Sequence, residues 1–224
     1  MSVEDIALLE PHMQRCSLHL RMNLEHPRTP IDFVYFLEEG IGSVVATGRN
    51  GRDTEVGFIG FEGMTGSAIV MGDDRNLHQC YVQLAGEAMR IEAAAFATVL
   101  ASSPTMRLFL LRYVQSLLIQ TGCTALVNAR SKLEERLARW LLMCDDRVSG
   151  GRLKITHEFL GIMLGCRRPG VTVALQLLEG MGLIRASRGE IAIRDRKGLI
   201  LLANGGYGEA EEEYERLIGK LREN

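Results

Sequence analysis

The sequence predicts an α+β chain: an N-terminal jelly-roll barrel (a double-stranded β-helix), a long dimerisation helix, and a C-terminal winged helix-turn-helix. Three observations carry this reading. Between about 30 and 92, "FVYFLEEG", "IGSVVATG", "TEVGFIG", "GSAIVMG", "HQCYVQLAG" and "AMRIEA" recur about every ten residues, rich in β-branched and aromatic side chains and separated by glycine or by Asn50-Gly51. That spacing suits an antiparallel barrel, and strands that do not alternate with helices argue against a doubly wound sheet. Residues 105–128 then follow a helical period without a break. Finally, "THEFLGIMLGCRRPGVTVALQLLEGMGLI", residues 156–184, is a helix-length apolar pattern broken once, at Gly165-Cys166-Arg167.

Before the barrel, "VEDIALLEPHM" is expected to form a short amphipathic helix with Ile6, Leu9 and Met13 on one face. In the long helix, Leu110, Val114, Leu117 and Thr121 form one row, and Leu111, Leu118 and Ala125 a second. A helix apolar on two faces must be covered on both: its own barrel can cover one, and a second copy of the chain is the simplest cover for the other. "SKLEERLARWLLMCDD", 131–146, repeats the pattern with Leu133, Leu137, Trp140, Leu141 and Cys144 inward, and "RVSGG" breaks it. The boundary between the halves is placed near 130. The tail "GEAEEEYERLIGKLREN" reads as an acidic helix or frayed end with a solvated face.

In the 156–184 stretch, Thr156 can cap a first helix over 157–164, and Gly165 supplies the left-handed residue that ends it. Pro169 lies in the first turn of the second helix, where its missing N–H costs nothing, and Val171, Ala174, Leu175 and Leu178 form the buried stripe. Gly161 lets the helices cross closely, and "LIRASRGEIAIRD" forms a wing around Ser187-Arg188-Gly189. The formal net charge is −2, yet residues 152–197 hold nine Lys and Arg against four Asp and Glu, an excess of five positive charges. Phosphate binding needs such an excess. Arg167 and Arg168 stand where a recognition helix enters the major groove N-terminus first, and an arginine fork there can pair with guanine O6 and N7.

The five cysteines, at 16, 80, 123, 144 and 166, lack the close spacing of a zinc or iron–sulfur clamp and read as reduced thiols. "MSVEDIALLE" has acids where a signal peptide would be basic, and the most apolar segment, 108–119, is interrupted by Arg112. A soluble, cytoplasmic protein with no membrane partner is expected. With His78 as the one histidine of the strand region, a cupin-like metal enzyme is the weaker reading, since it needs several converging ligands; no catalytic residue and no metal ligand is assigned.

On "ITHEFLGIMLGCRRPGVT", "RLARWLLMCDDRV", "YFLEEGIGSVV" and "VGFIGFEGMTG", nearly the whole chain resembles the cyclic-AMP receptor protein and fumarate–nitrate regulator (CRP/FNR) family of bacterial transcription factors. The resemblance implies a homodimer with a cyclic-nucleotide-binding-like sensor β-roll and long helix over 1–130 (the helix about 104–130) and a DNA-binding domain over 131–224. Its partners would be double-stranded DNA with a palindromic operator, RNA polymerase and a small-molecule effector. Position by position, Arg168 matches the family's guanine-reading arginine, a glutamate is replaced by Pro169, and a usually basic third position is Val173, which can touch a thymine methyl but cannot read guanine. Thr172 and Gln176 on the same helix (about 168–180) are further candidate base contacts; His157, Arg167 and Arg188 are candidates for phosphate positioning. In the effector site Glu62 matches the family's glutamate and Thr121 a threonine of the long helix. His78-Gln79 stands where an Arg-Ser pair would hold the cyclic phosphate, which speaks against cyclic AMP. Only Cys16 lies where the family's iron–sulfur cysteines cluster, which speaks against that cofactor, and haem through His78 or Cys80 is a minor reading. The effector stays unidentified, and a small-ligand-binding module acting through protein partners is the alternative function.

Overall fold

The computed structural model describes residues 1–148 and 151–221; Ser149 and Gly150 of the expected break and the last three residues of the tail lie outside them. The chain begins with α1 (Val3–Leu9), whose N-cap Ser2 accepts from the Asp5 N–H, and a 3-10 turn at Glu10–His12. Then follow β1 (Gln14–Leu18), β2 (Asn23–Glu25), β3 (Phe33–Leu37), β4 (Ile41–Thr47) and β5 (Asp53–Ile59). A short helix α2 (Ser67–Met71) precedes β6 (Gln79–Leu84) and β7 (Gly86–Glu92). Two antiparallel sheets result, in strand orders β1-β7-β3 and β2-β6-β4-β5. Leu18, Tyr35, Leu37 and Ala88 of the first meet Leu24, Ile59 and Val82 of the second in one core, which makes the β-roll.

Two expectations change here. Residues 67–71, read as a strand, form α2, held between Gly66 and Gly72 in left-handed conformation (φ +78° and +96°). An apolar run this short has no period that separates strand from helix. β1 and β2 were not foreseen, because "QRCSLHLRMNLEHP" has no β-branched or aromatic residue of the kind that marks the other strands.

Helix α3 (Ala93–Ser102) turns into α4 (Pro104–Arg130), which has Ser103 as N-cap and Pro104 in the first turn. Leu110 and Val114 of α4 are buried against the β-roll, Leu117 is half-buried and Thr121 is exposed. The second row stays open in the single chain, with Leu111 at 40% and Leu118 at 59% exposed, alongside Leu108 and Leu126. Among the described residues no single helix is long and apolar enough to cross a membrane; α3 and α4 pass on length and composition only together, across a 116° bend.

Ser131 and Lys132 separate α4 from α5 (Leu133–Asp145), whose first turn is closed by Glu135 accepting the Lys132 N–H at 2.8 Å. β8 (Arg152–Lys154), α6 (His157–Met163), α7 (Arg168–Gly180), β9 (Ile184–Ser187), β10 (Glu190–Ile193), α8 (Arg196–Leu202) and α9 (Glu209–Leu217) complete the chain. The wing has three strands, in the order β8-β10-β9, one more than expected. Leu137, Leu141, Leu160, Val171, Leu175 and Leu178 form the core of this half, and Ile41, Phe58 and Leu84 of the β-roll belong to the same cluster. The two halves therefore share a core.

Both ends of the chain differ from expectation. Leu9 is fully buried, but Ile6 is 48% exposed, because α1 turns inward the face that carries Asp5 and Leu9. The acidic tail is not a solvated face: α9 lies on α4, with Ala210 and Tyr214 buried and Tyr214 in the core beneath α4.

Candidate nucleic-acid interface and cavity

The helix-turn-helix is built from local signals. Thr156 Oγ1 accepts the Phe159 N–H at 3.3 Å and starts α6. Gly165, at φ +57°, ends it, and the Cys166 N–H returns to the Gly161 carbonyl at 2.9 Å. A Cβ on Gly161 would stand 3.0 Å from the Cys166 carbonyl oxygen, so the glycine makes room for the turn. Pro169 sits in the first turn of α7, and Val171, Ala174, Leu175 and Leu178 are its buried residues. Arg136 of α5 fastens the turn: it donates to the Leu164 carbonyl and, through Nε at 3.0 Å, to Asn128 of α4.

What this leaves outward is polar and basic at the entry of α7. Arg167, Arg168, Val173 and Gln176 are exposed, and Thr172 lies beside them half-buried. Helical spacing puts 168, 172, 173 and 176 on one face. The Thr172 hydroxyl donates to the Arg168 carbonyl at 3.2 Å and lies 3.1 Å from His157 Nδ1, which joins the first turns of both helices. Arg188 is exposed at the wing tip, beside Gly189 at φ +76°. Helix α7 is tied to that wing by Glu179, which accepts the Ala186 N–H at 3.1 Å. Arg196, counted above in the basic excess, is spent internally: it binds Asp145 at 2.7 Å and Asp146 at 2.6 Å, and donates to the Tyr207 hydroxyl at 2.6 Å. One contributor was not foreseen. The hairpin residues Arg52 and Thr54 face His157, Glu158, Arg167 and Arg168 across an open cleft.

The β-roll holds a cavity of about 280 Å³ between the β2-β6-β4-β5 sheet and α4. His78 and Thr121 line it, as do Glu25, Thr65, Ser67, Asn76 and Gln120, with Val44, Val56, Ile59, Met71, Val114 and Leu117 as apolar wall. Glu62 and Gln79 are not brought to it. Glu62 turns the other way into a buried ion pair, Oε1 to Arg147 Nε at 2.6 Å, because α5 ends directly over its loop. Gln79 points off the sheet and donates to Asn23. The polar group at the cavity's base is Glu25, which accepts the Gly66 N–H at 2.5 Å and the Asn76 amide. Burial raises its carboxyl above the ordinary carboxylate range, against those two hydrogen bonds. A lone acid in "NLEHP" carries no pattern that would reveal it. Among the described residues no three His, Cys, Asp or Glu side chains converge in metal-binding geometry.

The halves also meet through a second buried carboxylate, Glu55 of β5. Ser43 Oγ donates to its Oε2 at 2.6 Å and Trp140 Nε1 to its Oε1 at 2.9 Å. The Ser43 hydroxyl touches Met163 Sδ of α6 at 3.7 Å. Burial pushes the Glu55 carboxyl up to about 7, while the two donors and nearby Arg139 act in the opposite sense.

Residues 135–202 match the family model of the Crp-like helix-turn-helix domain. No curated protein matches the sequence. Among solved structures, FixK2 from Bradyrhizobium japonicum is 18% identical with a TM-score of 0.73, over 85% of this chain and 96% of that one. The c-di-GMP-responsive global regulator CLP of Xanthomonas campestris is 18% identical with a TM-score of 0.66, over 86% and 99%. A CRP-family transcriptional regulator from Thermus thermophilus is 17% identical with a TM-score of 0.69, over 85% and 97%. At these identities the structural likeness establishes the fold.

Proposed function

We propose that this chain, which has the fold of the CRP/FNR regulators and within it a Crp-like helix-turn-helix domain, is a sequence-specific DNA-binding transcription regulator and not an enzyme. The observation that carries the reading is the α7 entry: Arg167, Arg168, Val173 and Gln176 stand free on a helix whose opposite stripe is buried. Arg168 and Gln176 are assigned to base edges, Val173 to a thymine methyl, and Thr172 to a base contact that also braces His157. Arg167, His157 and the wing's Arg188 are assigned to phosphates.

The exposed row Leu108, Leu111, Leu118 and Leu126 on α4 supports a homodimer. In it residues 1–130 act as sensor and 131–224 as DNA-binding unit. RNA polymerase is a further partner, a small molecule in the β-roll cavity is the effector, and the cytoplasm is the site of action. In the effector role His78 and Thr121 keep their assignment, Glu25 and Asn76 join them, and Glu62 and Gln79 lose theirs.

Selection from a random duplex pool at moderate salt tests the reading. A palindrome with half-sites about one helical turn apart is expected, and a pool without enrichment, with and without candidate effectors, overturns it. Arg168→Ala is expected to relax preference at one base of each half-site, at about 1–3 kcal/mol. Arg188→Ala should weaken all duplexes alike and lower the salt slope by roughly one. Equal losses on specific and random duplexes for Arg168→Ala would remove its assignment.

A further inference from the structure

The β-roll cavity has a definite charge character. None of its described lining residues is Lys or Arg, and its one acidic side chain, Glu25, is 7% exposed. Two neutral donors, the Gly66 N–H and the Asn76 amide, hold that carboxylate. An anion entering here would give up its hydration with no guanidinium or ammonium to replace it, and would do so beside a carboxylate. A donor faces the opposite balance. A carboxylate offers about four lone-pair sites, and only the two donors named engage this one. Around it the wall is mostly apolar: Val44, Val56, Ile59, Met71, Val114 and Leu117. The volume, about 280 Å³, sits at the lower edge of small-molecule sites at roughly 300–1,000 Å³.

We propose that this cavity binds a small molecule with an apolar body and a hydrogen-bond-donating end, amine or hydroxyl, directed at Glu25 and Asn76, and that it rejects anions, cyclic nucleotides included. The inference rests on the effector reading of the β-roll and names the ligand class for it. Glu25 sets the polarity of the site, and the α4 edge residues Leu118 and Thr121, which also line the cavity, place the ligand against the helix whose outer row is open.

Three probes with one body decide it: 3-phenylpropylamine, 3-phenylpropan-1-ol and 3-phenylpropionate, titrated into the full chain by ligand-detected NMR and thermal shift. The amine and alcohol are expected to bind, with the propionate at least about tenfold weaker, and cyclic AMP is expected to give no saturable signal. Glu25→Gln should shrink the amine-to-propionate ratio several-fold, and Val56→Trp, which fills the cavity, should abolish binding of the amine. Should Glu25→Gln fail to fold, the three probes on the unaltered chain settle the charge preference by themselves. Propionate binding as tight as the amine's, saturable cyclic AMP, no binding by any of the three, or amine binding that survives Val56→Trp each overturns the proposal. No DNA enters this measurement, so its failure leaves the DNA-binding reading standing. An unenriched duplex pool, conversely, would remove that reading and leave amine selectivity untouched.

Discussion

Glu55 and Glu62 lie on the same side of the β-roll, and both turn a buried carboxylate toward the C-terminal half, yet the two are held by different chemistry. Glu62 meets Arg147, with side chains 5% and 3% exposed, and the guanidinium also lies over the Phe58 ring at 4.9 Å and donates to the Met143 carbonyl at 3.0 Å. Burial works against the Arg147 charge, but Glu62 beside it, with Glu211 and Asp146 further off, keeps the group above its ordinary value. Glu55 has only a hydroxyl and an indole N–H as direct donors. One contact between the halves is therefore an ion pair, and the other is a carboxyl that holds its proton until about neutral pH.

The largest expected effect comes from breaking the ion pair. Arg147→Met should lower unfolding stability by about 3–5 kcal/mol, because it strands a buried carboxylate. Denaturant melts of that variant and of the double variant Glu62→Gln/Arg147→Met separate stranded charge from lost packing. Recovery of most of the loss in the double variant is expected, and no recovery would show that packing on Phe58 dominates.

The second effect sharpens the contrast by its pH dependence. Glu55 titrates at about 7 in the folded chain and from an ordinary 4.5 when unfolded, so between these values the folded state binds more protons. Its contribution to stability is fully present below about 4.5, is lost as pH rises through the window, and changes no further above about 7. Glu55→Gln, which keeps an acceptor for Trp140, should remove that slope and gain roughly 2–3 kcal/mol on the unaltered chain between about pH 5 and 8. Trp140 is the chain's one tryptophan, so its fluorescence reports the same event directly. A transition near neutral pH is expected in the unaltered chain and none in Glu55→Gln; a transition that persists in the variant would assign it to another group.

The turn between α6 and α7 was legible in the sequence and these contacts were not, for a physical reason. Thr156, Gly161, Gly165, Pro169 and the stripe from Val171 to Leu178 act on neighbours within one turn or one helix, and each signal is local. Glu62 shows what local matching misses. "FEGM" placed it near the cavity, but a carboxylate turns toward whatever stabilises it, and Arg147 is 85 residues away. Glu25, Asn76 and Thr121 come together from β2, the approach to β6, and α4, and no spacing along the chain announces that meeting. The tail "GEAEEEYERL" was legible only as an acidic helix or a frayed end, and the burial of its Tyr214 depended on α4 and the Glu62 loop.

That tyrosine supplies the smallest and most discriminating change. Tyr214 Oη donates to the Glu62 backbone carbonyl at 2.9 Å, so α9 holds the Glu62 loop by a neutral bond beside the ion pair. At its other end the tail is fixed by Tyr207, whose hydroxyl donates to Asp146 at 2.8 Å, next to Arg147. Burial, and then the Glu62 charge, push the Tyr214 hydroxyl up, so it stays a neutral donor wherever Glu55 titrates. Tyr214→Phe keeps the ring in the core and removes one hydrogen bond, at a cost of about 1 kcal/mol. The loss should be the same offset at every pH between about 5 and 8, where Glu55→Gln changes the slope instead. Melts of both variants across that range compare the two contacts on one axis. A Tyr214→Phe loss that grew or vanished with pH would mean that the α9 contact and the Glu55 contact are coupled through the shared core, and are not two independent fastenings of the C-terminal half.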